Sequence, residues 1–283
     1  MNAINEMRII DSHLHLWDIS RFHYPWLDNV PSIKKSFFVE DYQKETNDFA
    51  IDKMIFVQAE CLPEQCIKEV EFVLEQAIKN NRIQGIVAYA PVEDHPKFKN
   101  VLRELKEIKM VKGIRRMYDD DPELCCNNCF LESVNSLPAY DLSFDISVKP
   151  HSIPATIKMI KECPHTLFIL DHLGKPDIEN NGIELFKKNM DKLASFPNVV
   201  AKISGLLTEA GSKWSLNSIQ PYVDYAIKCF GYDRLLFGSD WPVLLLAASF
   251  NEWLTNLFQM LGKTSVTDLE KIFYTNAMKV YRL

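Results

Sequence analysis

The run Arg8-Ile9-Ile10-Asp11-Ser12-His13-Leu14-His15 decides how the rest of this chain is read. A short β-branched stretch, Arg8–Asp11, passes straight into two histidines spaced i and i+2, which on extended backbone point the same way. The first strand of an open, doubly wound sheet usually leads into a glycine-rich phosphate turn, and no glycine follows here. Seven further β-rich runs lie downstream, at Lys53–Ala59, Ile83–Ala90, Val111–Arg115, Leu142–Val148, Thr166–Asp171, Asn198–Ser204 and Arg234–Ser239. Between them fall stretches of helical spacing. In Glu64–Asn80 the residues Ile67, Val70, Val73, Leu74 and Ala77 share one face; Pro96–Glu107, Ile153–Glu162, Glu184–Ser195 and Ser218–Phe230 are the others. Strand and helix in alternation imply parallel pairing, and eight such units close into a (β/α)8 TIM barrel, an α/β fold.

At 283 residues the chain has the length of one such barrel, and no linker or low-complexity tract divides it, so residues 1–283 are expected to form one domain. Apolar residues at 47% and charged residues at 25% supply both a core and a solvated surface, which excludes disorder as the main state. A net charge of −6 offers no general attraction for nucleic acid or an anionic membrane, and neither is expected as a partner. Glu6, Arg8 and Asp11 precede any apolar stretch, and the longest apolar run, near Val243–Ala248, is far below the ~20 residues that span a bilayer. Neither signal peptide nor membrane span is therefore expected. Seven cysteines, an odd number, point to reduced thiols and a cytoplasmic setting. Cys126 and Cys129 have the C-x-x-C spacing but lack the second pair or nearby histidines of a zinc site, so Cys125, Cys126 and Cys129 are read as a loop without assigned chemistry. Composition leaves the oligomeric state open, a homo-oligomer included.

In a barrel of this kind the reactive groups stand at the C-terminal ends of the strands. The first run ends in His13 and His15, the fourth in Arg115-Arg116, the sixth in Asp171-His172-Leu173-Gly174, and the eighth in Gly238-Ser239-Asp240-Trp241-Pro242. The fifth runs towards Lys149 and His151, and the seventh carries Lys202 and Ser204. A single histidine beside a strand is more often a hydrogen-bonded structural group than a catalyst. Many buried ionisable groups together cost stability, and that cost is tolerated mostly at functional sites.

The motif Ile10-Asp11-Ser12-His13-Leu14-His15 resembles the opening His-x-His of the amidohydrolase superfamily, with Asp240 resembling its essential aspartate on the last strand. More narrowly, His15-Leu16-Trp17, Tyr24-Pro25-Trp26-Leu27, Lys112-Gly113-Ile114-Arg115, Leu170-Asp171-His172-Leu173-Gly174-Lys175-Pro176, Lys202-Ile203-Ser204-Gly205-Leu206 and Gly238-Ser239-Asp240-Trp241-Pro242-Val243 resemble the sugar-lactonase branch, that of L-fuconolactonases and L-rhamnonolactonases. Thr208-Glu209-Ala210 and Pro221-Tyr222-Val223 extend the resemblance over nearly the whole chain. It implies an amidohydrolase-like barrel that hydrolyses an aldonolactone to the open sugar acid. The superfamily motif does not by itself specify the bond cut, so a decarboxylase, an amide hydrolase and a non-catalytic metabolite-binding barrel stand as alternatives.

On this reading Asp240 is the general base that takes a proton from the attacking water, and His13, His15 and Arg115 are donors around the carbonyl oxygen. His172 suits either of two tasks, a hydrogen bond to the carbonyl or protonation of the departing alkoxide. Trp17, Trp26 and Trp241 are candidates to wall the pocket against a sugar ring, and Lys202, Ser204, Gln58 and Glu60 to reach its hydroxyls. The resemblance implies that many superfamily members bind one or two divalent metals while members of this branch can act without one, so none is taken as required; a single divalent ion such as zinc, if bound, would take His13, His15, His172 and Asp240 as ligands. Arg115 stands where binuclear relatives have a bridging lysine, which argues against two metals.

Overall fold

Strands β1 (Ile9–Leu14), β2 (Ile51–Val57), β3 (Ile83–Tyr89), β4 (Val111–Arg115), β5 (Ser143–Ile146), β6 (Phe168–Leu170), β7 (Val199–Ile203) and β8 (Leu235–Phe237) pair in parallel in chain order. The computed structural model describes residues 7–283. The sheet returns on itself between its ends: Leu14 bridges Trp241, the His15 N–H donates to the Trp241 carbonyl at 2.7 Å, and the Asp240 N–H donates to the His13 carbonyl at 2.8 Å. This is the (β/α)8 barrel expected from the alternation.

All eight expected strands form, β4 with the bounds expected and the others with shifted ends. β1 runs beyond Asp11 to Leu14 because the whole stretch is buried and its pairing with β2 continues to Leu14 opposite Phe56. β6 stops at Leu170, where Asp171 begins a tight turn with His172 and Leu173 at φ 54° and 49°. A crossover or closing helix of eight residues or more follows each strand: α1 (Val39–Thr46), α2 (Cys66–Lys79), α3 (His95–Leu105), α4 (Asn128–Ser136), α5 (Ile153–Glu162), α6 (Ile183–Ala194), α7 (Leu216–Phe230) and α8 (Phe250–Met260). Helix α2 buries Val70 and Val73 and rests Ile67, Leu74 and Ala77 against the core, the face its spacing predicts. No helix among the described residues is long and apolar enough to cross a membrane.

Strand side chains alternate, so residues two apart share a face. Ile10, Ile55, Val87, Ile169, Val200 and Leu236 form one buried cluster inside the barrel, reached by Val280 and Tyr281 of the C-terminal helix Asn276–Tyr281. Each such side chain contributes about 1.5–3 kcal/mol of apolar burial. Two residues further along their strands, Ile169 is followed by Asp171 and Val200 by Lys202. The interior changes there from apolar to ionic, towards the C-terminal ends of the strands.

Candidate active site

His13 and His15 enter from β1 with their Nε2 atoms 3.2 Å apart. Asp240, just beyond β8, places Oδ1 3.2 Å from His15 Nε2, 3.6 Å from His13 Nε2 and 3.9 Å from His172 Nε2. Three segments distant in sequence thus meet around one carboxylate. Two glycines make the approach feasible: a Cβ on Gly205 would lie 2.6 Å from His172 Nδ1, and one on Gly238 would lie 2.7 Å from the His13 Cβ. Asp240 and His172 both hold left-handed backbone, at φ 61° and 54°, a conformation that costs a non-glycine residue about 1 kcal/mol or more. Asp240 is kept there by its N–H bond to His13 and by the Leu244 N–H, which donates to its carbonyl at 2.9 Å.

Behind the histidines lies a layer of buried ions. Lys202 Nζ is 2.6 Å from Asp145 Oδ2, 2.9 Å from Asp171 Oδ1 and 3.2 Å from His13 Nδ1. Arg115 reaches Asp171 Oδ2 at 3.4 Å and donates to the Gln58 carbonyl. Burial alone would raise the Asp171 carboxyl, but His13 and Lys202 beside it hold it well below the usual carboxylate range. For Asp145 burial, with Asp171 adding to it, outweighs Lys202 and lifts the carboxyl to about 6. Burial likewise favours the acid form of Asp240, yet His172 and the hydrogen bond to His15 prevail and keep it ionised. Burial lowers the His172 imidazole to about 4 against the pull of Asp240 and Asp171, so the ring is neutral at pH 7; its Nδ1 lies 2.9 Å from Ser204 Oγ.

A cavity of about 390 Å³ opens above this cluster, lined by His15, Arg115, His172 and Asp240 on the inner side and by Trp26, Glu60, Met117, Ser147, Lys175, Thr208, Glu209 and Val243 around the wall. Four of the residues expected to meet substrate stand elsewhere. Lys202 is fully buried between its two aspartates, so its ammonium has no reach into the cavity. Trp17 is fully buried with its indole N–H on the Lys35 carbonyl, and Trp241 is wedged against Phe37 and Tyr42. His13 is also fully buried, behind His15, and touches the cavity only through its neighbours. Of the three tryptophans, Trp26 faces the cavity. Ser204 and Gln58 act at one remove, through His172 and Glu60 respectively. Asp171, beneath the histidines, and Glu209 and Thr208, on the cavity wall, join the site although their sequence motifs do not mark them for it. Cys125, Cys126 and Cys129 belong to no candidate metal cluster among the described residues.

His13, His15 and Asp240 bring ligand atoms within 4.8 Å of one another. The His15 Nδ1 donates to the Val57 carbonyl at 2.7 Å, which turns Nε2 into the cluster. His13 Nδ1 lies 3.1 Å from Asp171 Oδ1, which likewise leaves its own Nε2 facing the cluster. Two imidazole Nε2 atoms and a carboxylate oxygen therefore converge, and with the ring protons on Nδ1 they make a donor set that one divalent cation completes. The residues fit a single ion. A second grouping, His13, Asp171 and His172, fits less well because Lys202 and Arg115 already engage Asp171.

An eight-stranded parallel barrel with a His-His-Asp cluster at the C-terminal ends of its strands has its ligand set where barrel enzymes keep their reactive groups. The chain belongs to the amidohydrolase family, whose sequence model matches residues 10–283. It is 29% identical over 281 residues to the L-fucono-1,5-lactonase of Burkholderia ambifaria, covering 97% of this chain and 95% of that protein. To the L-fucono-1,5-lactonase of Burkholderia multivorans it is 30% identical over 257 residues, covering 86% and 85%. It superposes with a TM-score of 0.88, at 27% identity and over 97% of this chain and 99% of the other, on a crystal structure of an amidohydrolase from Burkholderia multivorans with bound zinc.

Proposed function

We propose that this enzyme hydrolyses a neutral sugar lactone, an aldonolactone such as L-fucono- or L-rhamnono-lactone, to the open sugar acid. The observation that carries the reading is Asp240, an ionised carboxylate ringed by imidazoles, at the inner side of a cavity whose wall supplies Glu60, Ser147, Thr208 and Glu209 as partners for ring hydroxyls. The relatives named as L-fucono-1,5-lactonases support the choice of a lactone.

Water bonded to Asp240 loses a proton to it as its oxygen attacks the lactone carbonyl carbon. Negative charge develops on the carbonyl oxygen, towards which His15, Arg115 and His172 present donors; His13 acts from behind, holding His15. The ring carbon–oxygen bond then breaks, and the proton held at Asp240 passes to the departing alkoxide, directly or through His172. Trp26 offers an apolar face to the ring. These steps draw on the chain's own groups and require no metal. A divalent ion such as zinc, held by His13, His15 and Asp240, would supply Lewis-acid polarisation of the carbonyl.

The test is acid release from a panel of L-fucono-, L-rhamnono-, L-galactono- and D-arabinono-lactones, with and without chelator. Turnover of at least one in both conditions is expected. No turnover of any lactone, beside cleavage of amides or loss of CO2 from carboxylated substrates, would replace this reading with its superfamily alternatives.

A further inference from the structure

Glu60 lies just past β2 on the cavity wall, and it is a non-glycine residue in left-handed backbone, at φ 59°. Such a conformation persists only where the surroundings over-determine it. Here they do, and they do so residue by residue. The Gln58 carbonyl accepts from Arg115 of β4; the Ala59 N–H donates to Glu69 Oε1 of α2 at 3.1 Å; the Ala59 carbonyl accepts from the Trp26 indole at 2.8 Å. The Glu60 N–H donates to Gln58 Oε1 at 2.7 Å, while the Gln58 side-chain amide donates back to Glu60 Oε1. Gln58 itself is fully buried. Side chains from separate elements therefore fix both the backbone and one carboxylate oxygen of Glu60.

The other oxygen, Oε2, is engaged by none of these contacts. Arg116, which shares a shallow outer groove with Glu60, is paired with Glu93 at 2.9 Å. No ion pair claims the Glu60 carboxylate among the described residues. A carboxylate pinned through one oxygen, with the other left to accept, on the wall of the cavity where a ring would sit, selects for hydroxyl donors and against a carboxylate substituent placed beside it. Glu209 on the same wall is a second carboxyl within the cavity lining.

Building on the lactone reading, we infer that Glu60 is a specificity-determining residue, accepting a hydrogen bond from a ring hydroxyl of the substrate and thereby favouring polyhydroxylated, uncharged lactones over bare or carboxylated ones. A hydrogen bond to a charged group contributes about 1.5–3 kcal/mol, which corresponds to about 10- to 150-fold in selectivity.

Two measurements on Glu60→Ala test this. The first is the ratio of kcat/KM for an aldonolactone over that for the unsubstituted lactone of the same ring size, which is expected to fall about 10- to 100-fold. The second is calorimetric binding of the matching aldonolactam, whose ring nitrogen resists hydrolysis, with affinity expected to fall by a similar factor. Glu60→Gln keeps the contact from Gln58 but puts an amide in place of the free carboxylate oxygen; it is expected to move both readouts the same way, and it serves where the alanine variant fails to fold. A selectivity ratio that stays constant, whether both rates drop together or neither does, overturns the inference while leaving lactone hydrolysis standing. Wild-type enzyme that turns over no lactone but binds the lactam through Glu60 overturns the lactone reading alone. Wild-type enzyme that neither hydrolyses the lactone nor binds the lactam overturns both.

Discussion

Replacing Lys202 with methionine removes the one ammonium that separates Asp145 from Asp171 inside the barrel. The lysine is fully buried, and its nitrogen makes the 2.6 Å and 2.9 Å contacts that neutralise the two carboxylates. Methionine nearly conserves the volume, so the change isolates charge from packing. Breaking a buried ion pair on one side costs about 3–5 kcal/mol, because the remaining charge keeps its desolvation penalty without its partner. At roughly 2–4 °C per kcal/mol for a chain of this size, the melting temperature should drop by roughly 10 °C. The loss should depend on pH. With the lysine present, burial already lifts Asp145 to about 6. Without it Asp145 rises further and takes up a proton, so the folded state binds more protons than the unfolded one over a wider range, and the variant weakens further as pH rises from 5 to 8. Adding Asp145→Asn removes the second charge and should restore at least half of the lost stability. Urea denaturation of the two single variants, the double variant and the wild type at pH 5.5 and 8 closes the cycle. If Lys202→Met melts with the wild type, or if Asp145→Asn restores nothing, the ionic layer is not what holds this part of the barrel together. A lysine in contact with substrate would give the opposite pattern, a raised KM with stability untouched.

Asp240→Asn keeps the size of the side chain and its left-handed backbone position but loses the base, so kcat for the lactone should fall about 10³-fold, within the range for general-base catalysis. Full activity in that variant would end the proposed role of Asp240. Zinc titrated into metal-free protein by calorimetry should bind at one ion per chain, and His15→Ala should weaken that binding more than about 100-fold, since even outer-layer partners of metal ligands contribute 10–100-fold; equal affinity would place the ion elsewhere. Glu69, buried under the Ala59 N–H, is raised by burial from an ordinary 4.5 to about 7. The folded state therefore binds more protons than the unfolded between those values, and about 3 kcal/mol of stability is lost as pH rises through that window. Glu69→Gln can still accept from Ala59 and should flatten this part of the stability–pH curve; an unaltered slope would show that Glu69 does not titrate there.

The alternation of strand and helix was legible because parallel strands buried on both faces read as short apolar runs, and α2 or α7 carries a stripe long enough to show its period. Helices α1 and α4 escaped for the complementary reason. α1 is eight residues long and buries only Val39, Tyr42 and Thr46; α4 buries Phe130, Ser133 and Val134 among polar neighbours. Helix α8 has a clear apolar stripe, Phe250, Trp253, Leu254, Leu257 and Met260, but no strand run follows it to frame it as a crossover. His13, His15, His172 and Asp240 were legible as a group because each sits at a strand end, and strand ends of a barrel converge whatever the loops do.

What could not be read was depth along the barrel axis. On β7 the inward face runs Val200, Lys202, Ser204, each step about 6.6 Å along the strand. One step decides whether a side chain packs in the apolar layer, pairs in the ionic layer or holds a histidine at the cavity floor. Lys202 falls in the middle layer, a position that its identity and its distance from the strand end do not reveal. Trp17 and Trp241 were misplaced by the same ambiguity applied sideways, since a tryptophan beside a strand end can turn to the cavity or to the aromatic packing outside it, and Phe37 draws both outward. Glu60 shows the converse. Its strand-end position made it a candidate for the ring hydroxyls, but what pins it, bonds from Trp26 and Arg115 to the adjacent Ala59 and Gln58 carbonyls and its own left-handed backbone, is brought together only by the closed barrel. Chemistry carried by residues two apart on one strand can be seen in a sequence. Chemistry that depends on which layer a strand residue reaches, or on what pins the segment beyond it, appears only once the sheet has closed.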